Sequence, residues 1–386
     1  MTNPTLSRRS FSKIIGVGAA YAALWPQGEV KGSWPSLLPN PISSETRLPD
    51  SVSSGANIVR LSSNENPYGP SPAALKAMTE AFSLAWRYPD EHADILAEEL
   101  ARRHNLPVNH VLLGDGSGEI LKLCAAAFTA SDKKLVMANP TFEAVSRHAG
   151  VEHAEIVKIN LTSDYRHDLQ KMLAASNGAG LVYICNPNNP TASITPRNEI
   201  SNFLTKVSPS TIVLLDEAYH HYVETKDYES VIPLVRQHSN LIVVRTFSKI
   251  YGMAGLRCGY CVTQRRNIEL IKAHQIFDSV NIMALVAALA SLKDPDHVAR
   301  SRTLNNEVRK VVCAELDELD YGYIQSHTNF LMVDLRREVR PIITALGDRR
   351  IQVGRVFPAL PTFMRVTIGT SSQMKVLLRA FRELMV

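Results

Sequence analysis

Four short apolar runs rich in β-branched residues break off abruptly in polar or glycine-rich segments. They are Val111-Leu112-Leu113 before GDGSGE (114–119), Leu181 to Cys185 before NPNNPT (186–191), Thr211 to Leu215 before DEAYHH (216–221), and Leu241 to Arg245 before TFSK (246–249). Stretches with helical spacing lie between them, such as Glu119 to Phe128 and Pro196 to Val207. Continuous apolar strands alternating with helices predict an α/β fold with a mainly parallel sheet. In such sheets ligands bind outside the carboxyl ends of the strands. All four polar clusters fall at that edge, so they predict one shared site.

Beyond Asn281 the pattern changes. Helical stretches (Ala284 to Leu292, Ala299 to Leu319) lead into strands at Phe330 to Val333 and Met364 to Ile368, and an amphipathic helix closes the chain from Ser372 to Met385. This predicts a smaller α+β domain, completed by the segment before Trp86. The N-terminus reads differently again. Arg8-Arg9 and Lys13 precede an apolar stretch from Ile14 to Trp25 with the small-x-small triplet Ala20-Tyr21-Ala22, the layout of an export signal of the twin-arginine type. From Gln27 to about Asp50 the chain is rich in Pro, Ser and Gly, like a linker. The expected organisation is therefore 1–32 leader and linker, 33–85 arm and part of the small domain, 86–280 large domain, and 281–386 small domain.

Composition narrows the classes. A chain of 386 residues with 45% hydrophobic and 20% charged content can bury a large core. The net charge of +5 is concentrated at the N-terminus, where four cations oppose Glu29 alone. The remainder carries no basic block with interleaved aromatics, so no nucleic-acid partner is expected. The apolar run of the leader is too short and too Gly/Ala-rich for an anchor, and no stable membrane span is expected in the mature chain. Five scattered cysteines do not suggest a disulfide framework. Cys258-x-x-Cys261 has metal spacing but stands without a second ligand pair inside the strand-like CGYCV, so it reads as core, and no metal is expected.

The strand ends carry chemistry. Lys249 follows its strand by a few residues, where partial desolvation and nearby Arg257 would depress its pKa and free the amine to bond a carbonyl carbon. Asp216 can hold a ring nitrogen protonated, and Tyr219, three residues on, can donate to a phenolic oxygen. Gly114 to Glu119 opens a helix whose free N–H groups make an anion site. Ser248 and Arg257 flank the lysine, Asn189 ends another strand, and Phe142 offers an aromatic face. A protonated ring nitrogen, a phenolic oxygen, an aldehyde and a phosphate together describe pyridoxal 5'-phosphate.

With these motifs the chain resembles the fold-type I, class I/II pyridoxal-phosphate-dependent aminotransferases, and within them the histidinol-phosphate aminotransferase branch. The resemblance is carried by LSSNENPYGP, WRYPD, GDGSGE, NPTFEAV, CNPNNPT, DEAYHHY, RTFSKIYGMAGLRCGY, TNFLMVD and MRVTIGT, in the family's order. It implies a seven-stranded sheet flanked by helices. Lys249 would be the lysine that bonds the cofactor, Asp216 its partner at the pyridine nitrogen, and Tyr219 and Asn189 its partners at the ring oxygen. Ser117, Gly118, Ser248 and Arg257 would hold the phosphate and Phe142 would stack on the ring. Tyr88 matches a tyrosine that reaches the phosphate across a dimer interface, which implies a homodimer with shared sites. Arg365 matches the arginine that grips the substrate carboxylate, with Asn329 supporting it. Asn66 and Arg355 are further candidates on the substrate side, Arg355 contacting either the substrate or an acidic side chain.

Three departures bear on the substrate. The family's NPTG is Asn189-Pro190-Thr191-Ala192 here, with less φ freedom at its last position. Residues 34–50 hold no tyrosine to match the branch's N-terminal Pro-Tyr. The arginine that ends the branch's G-I-x-V-R strand comes one place late, as Arg355 after Gly354, which would turn it to the opposite face unless Gly354 makes a bulge. With an export leader, these departures favour a transaminase moving an amino group from aromatic or other bulky L-amino acids to a 2-oxo acid such as 2-oxoglutarate. Histidinol phosphate as donor, or a decarboxylase or lyase on the same fold, are the alternatives. A ligand-sensing regulator would need a DNA-binding segment for which there is no room, and a binding protein with dead chemistry does not fit the filled catalytic positions.

Overall fold

The computed structural model describes residues 58–385. The expected leader, linker and most of the arm lie outside the described residues. Eleven strands follow along the described chain: β1 (Val59–Leu61), β2 (Val111–Gly114), β3 (Lys134–Asn139), β4 (Ile156–Asn160), β5 (Ala179–Cys185), β6 (Ile212–Asp216), β7 (Leu241–Thr246), β8 (Gly259–Val262), β9 (Phe330–Asp334), β10 (Ile351–Val353) and β11 (Phe363–Thr367). Seven of them form the large sheet in the order β2-β8-β7-β6-β5-β3-β4. Within it β8 alone runs against its neighbours, and the other pairings are parallel.

Burial explains the patterns. β6 and β7 are buried at every position, so they read as unbroken apolar runs. β4, at the sheet edge, exposes Lys158 and Asn160. Along β5 successive side chains enter two different cores: Val182 and Ile184 pack in one, Leu181, Tyr183 and Cys185 in the other. Cys258 belongs to the first core and Cys261 to the second, so the CxxC pair fills both faces of the sheet.

The C-terminal third builds a separate core from the helices Pro295–Glu318 and Ser371–Met385 and two short sheets. One is the antiparallel pair β9-β11, with Arg365 opposite Met332. The other pairs β10 in parallel with β1, so Leu61 from the N-terminal segment completes this smaller core. The helix Ile282–Leu292 lies just past the expected boundary at 280/281. Its buried residues Ala284, Leu285, Ala287 and Ala288 nevertheless pack in the large-sheet core, where Ala74 of the helix Pro72–Ala81 joins them. That follows from its composition, apolar on nearly all sides. Among the described residues no helix is long and apolar enough to cross a membrane.

Candidate active site

The carboxyl ends of β5, β6 and β7 and the first turn of the helix Gly116–Phe128 surround a cavity of about 280 Å3 lined by Ser117, Gly118, Phe142, Asn189, Asp216, Tyr219, Ser248, Lys249, Arg257 and Arg365. Ten of the residues expected from sequence are therefore neighbours in space.

Lys249 sits past β7 on a turn closed by Gly252 N donating to Lys249 O at 3.0 Å. Its Nζ donates to Ser63 O at 3.3 Å and Asn64 O at 3.2 Å and stands 5.7 Å from the Tyr219 ring centre. Burial, reinforced by the Arg365 guanidinium, pulls its pKa down to about 8, which brings the neutral amine within reach near neutral pH.

Asp216 ends β6. Its Oδ2 accepts from Tyr183 Oη at 3.0 Å and its Oδ1 from Ala218 N at 3.0 Å. Burial raises its pKa to about 6 against the help of those donors. A buried carboxylate in this state gains most from a cation, and a protonated ring nitrogen is such a cation. Tyr219 Oη accepts from Asn64 Nδ2 at 3.1 Å, and burial lifts its pKa.

At the opposite end Arg257 Nη1 donates to Ser248 Oγ at 3.3 Å and Nη2 to Asp115 O at 3.3 Å. Gly116 has φ +72°, and an added Cβ there would stand 2.1 Å from Arg257 Nη2. Only glycine lets the guanidinium lie against the helix start. The helix N-terminus, a serine and an arginine form a cradle with the charge and donors a phosphate requires. These three groups, the Asp216 carboxylate and the Lys249 amine fit pyridoxal phosphate end to end.

The substrate side departs from expectation in two places. Arg365 is steadied by Asn189 Oδ1 at 2.7 Å and Ser62 O at 2.6 Å, not by Asn329. Asn329, just before β9, instead donates to Asn64 O at 3.1 Å and Glu65 O at 3.2 Å. Asn66 does not line the cavity. Its Nδ2 donates to Ile250 O at 2.8 Å and Ser301 Oγ at 3.1 Å, tying the lysine turn to the helix Pro295–Glu318. Asn64, two residues earlier, holds the position by Tyr219 that the sequence did not single out. Tyr183 was also missed, since nothing marks a mid-strand tyrosine as facing an aspartate. Tyr88 lies outside its own chain's cavity, 81% exposed beside Trp86.

Arg355, one place late in sequence, still reaches the substrate side. Gly354 N donates to Arg365 O at 2.8 Å, and a Cβ on Gly354 would stand 2.8 Å from Arg365 Cβ. The Arg355 and Arg365 guanidiniums both lie by the Phe357 ring, 4.5 and 5.3 Å from its centre. They border a pocket of about 170 Å3 that shares Phe142 and Asn189 with the Lys249 cavity. Ala192 takes the expected glycine position with φ +62°.

The chain is similar to known proteins along nearly all of its described length. The family model described as aminotransferase class I and II matches residues 56–381. A histidinol-phosphate aminotransferase from Moorella thermoacetica is 39% identical over 85% of this chain and 86% of its own. One from Symbiobacterium thermophilum is 38% identical over 82% of this chain and 88% of its own. Among solved structures, the histidinol-phosphate aminotransferase from Sinorhizobium meliloti in complex with pyridoxal 5'-phosphate superposes with a TM-score of 0.81 at 26% identity, covering 86% of this chain and 92% of that one.

Proposed function

The chain belongs to the class I and II aminotransferases, transaminases whose cofactor is pyridoxal 5'-phosphate, and from that premise we propose that its amino donor is histidinol phosphate or a similar phosphorylated amino alcohol. A 2-oxo acid such as 2-oxoglutarate takes the amino group. One observation carries the choice of donor: Arg355 and Arg365 share a pocket beside the lysine, over one phenylalanine ring. Two guanidiniums suit a phosphate dianion better than a single carboxylate. The names of the relatives support the same choice.

The cofactor supplies an electron sink for the donor's Cα–H bond once its ring nitrogen is protonated. Asp216 would keep that proton in place, and Tyr219, positioned by Asn64, would steady the ring oxygen together with Asn189. Ser117, Gly118, Ser248 and Arg257 would hold the phosphate, and Phe142 would stack on the ring. Lys249, with its lowered pKa, takes the proton from the donor Cα as general base and delivers it again as general acid. Arg365 and Arg355 hold the donor's anionic group so that its Cα–H bond lies toward Lys249.

The working unit is a homodimer. The exposure of Trp86 and Tyr88, 78% and 81%, supports this reading, and in such a dimer Tyr88 would reach the phosphate cradle of the second copy. The twin-arginine-type leader would carry the chain, folded around its cofactor, to the periplasm. That leader favours a second reading, a transaminase for aromatic or other bulky L-amino acids.

A donor screen of the cofactor-loaded enzyme separates the two. Histidinol phosphate should exceed phenylalanine and tyrosine in kcat/KM by at least about tenfold, a difference of roughly 1.4 kcal/mol in transition-state binding. Preference for the aromatic amino acids would overturn the proposal. Oxo product, rather than carbon dioxide or ammonia, distinguishes transamination from decarboxylase or lyase chemistry, and Lys249→Ala should abolish turnover.

A further inference from the structure

We propose that Glu143 is a specificity-determining residue, the resting counter-ion of Arg355 that gives up this guanidinium only to a strongly anionic donor group. Glu143 stands beside Phe142, at the start of the helix Ala144–Val151. Arg355 comes from the loop after β10, on the other core. Glu143 Oε2 and Arg355 Nη2 meet at 2.6 Å across the mouth of the 170 Å3 pocket, and both side chains remain about half exposed. Arg147, one helical turn on, lies 3.7 Å from the same carboxylate oxygen.

The arrangement makes substrate binding an exchange. An exposed Glu–Arg pair is weak and easily opened. A phosphate dianion brings more charge than one carboxylate and can take the planar guanidinium with two hydrogen bonds. It displaces Glu143, which turns to Arg147 at its i+4 position. A neutral hydroxyl at the same place gains nothing from Arg355 and leaves the pair closed. Glu143 thus sets how much negative charge a donor needs in order to recruit Arg355. The inference rests on the reading that the donor carries a phosphate.

The test uses cofactor-loaded enzyme, so that the phosphate cradle is filled, with inorganic phosphate as the probe in equilibrium dialysis. Glu143→Gln should bind phosphate about two- to fivefold more tightly than wild type, the worth of an exposed pair. Arg355→Gln should bind it at least about tenfold more weakly, as expected for a lost charged hydrogen bond. Glu143→Asp keeps the charge on a shorter arm and should fall between wild type and Glu143→Gln. In turnover, Glu143→Gln should lower KM for the phosphorylated donor by the same factor, leave KM for the dephosphorylated donor in place, and move kcat by less than about twofold. Equal phosphate affinity in wild type, Glu143→Gln and Glu143→Asp overturns the inference. So does weaker binding in Glu143→Gln, which would make Glu143 a brace for Arg355. If phosphate binding shifts as expected while wild type does not turn over the phosphorylated donor, the exchange of Arg355 between Glu143 and an anion stands, and the donor reading fails together with the role of Glu143 in donor specificity.

Discussion

Glu217 and Glu143 each hold an arginine, one buried next to Asp216 in sequence and one at the mouth of the pocket that adjoins the Lys249 cavity. The Glu217–Arg245 pair is sealed, with side chains 1% and 9% exposed. Glu217 accepts from Arg245 Nε at 3.0 Å and Nη2 at 2.7 Å, from Ser230 Oγ at 2.8 Å and from Val231 N at 2.8 Å. Its own backbone N donates to Val244 O at 2.9 Å, so the turn that carries Asp216 and Tyr219 is pinned to β7. The Glu143–Arg355 pair has one direct contact, and both of its side chains are about half exposed. Buried ions are tolerated only when every lone pair and proton finds a partner, and once so arranged they do not rearrange. Exposed ions exchange partners at little cost. The difference teaches where each kind of charge belongs: fixed ones beneath the chemistry, replaceable ones where substrate enters.

The largest effect should come from breaking the sealed pair. Glu217→Ala leaves Arg245 buried without its anion and should destabilise the fold by about 3–5 kcal/mol. Glu143→Ala should change stability by no more than about 0.5 kcal/mol. Denaturant unfolding of both variants reads the contrast directly. Similar losses for the two would show that burial does not separate them.

The residues of the Lys249 cavity were far more legible in the sequence than either ion pair, since neither Glu217 nor Glu143 was singled out. Lys249, Asp216, Tyr219, Ser117 and Arg257 stand at the ends of apolar runs or at a helix start, and local pattern alone places such residues on one edge of a sheet. Asn64 could not be found that way, because it meets Tyr219 across 155 positions of chain. Asn66 and Asn329 were given the wrong neighbours for the same reason. β1 and β10 have only three residues each, too few for a period to show. The aim of Arg355 depends on how closely Gly354 approaches β11, a matter of tertiary contact that counting residues along a strand misjudges.

A second prediction concerns Asp216, a buried charge whose intended cation is the cofactor. Its folded pKa is raised to about 6, so in cofactor-free protein the group favours folding while protonated. That contribution is fully present below about pH 4, the unfolded value, and is lost as pH rises through about 6; it amounts to roughly 2–3 kcal/mol. Unfolding free energies of cofactor-free wild type at pH 4.5 and 7.5 should therefore differ more unfavourably than those of Asp216→Asn, which cannot ionise. Loading with pyridoxal phosphate should narrow the gap, because the ring cation then compensates the carboxylate. Parallel pH profiles for wild type and variant would mean that Asp216 is already compensated by Tyr183 and Ala218, as Glu217 is by its donors.

The smallest effect probes the wall between the two regions. Ala192 belongs to the turn that presents Asn189 to Arg365, and its backbone is held on both sides: its N donates to Asn188 O at 2.8 Å and its O accepts from His327 N at 2.9 Å. At φ +62° a non-glycine residue costs about 1–2 kcal/mol. Its methyl group is buried in the large-sheet core, which returns about 0.8 kcal/mol. Ala192→Gly should accordingly stabilise the protein by up to about 1 kcal/mol, seen as a higher denaturant midpoint at unchanged slope. The donor KM should not move, since Asn189 is fixed by its 2.7 Å contact with Arg365 rather than by the strain three residues along the chain. A raised KM with the same or higher stability would reverse that assignment. The strained turn would then be the element that holds the open half of the site in register with the sealed one.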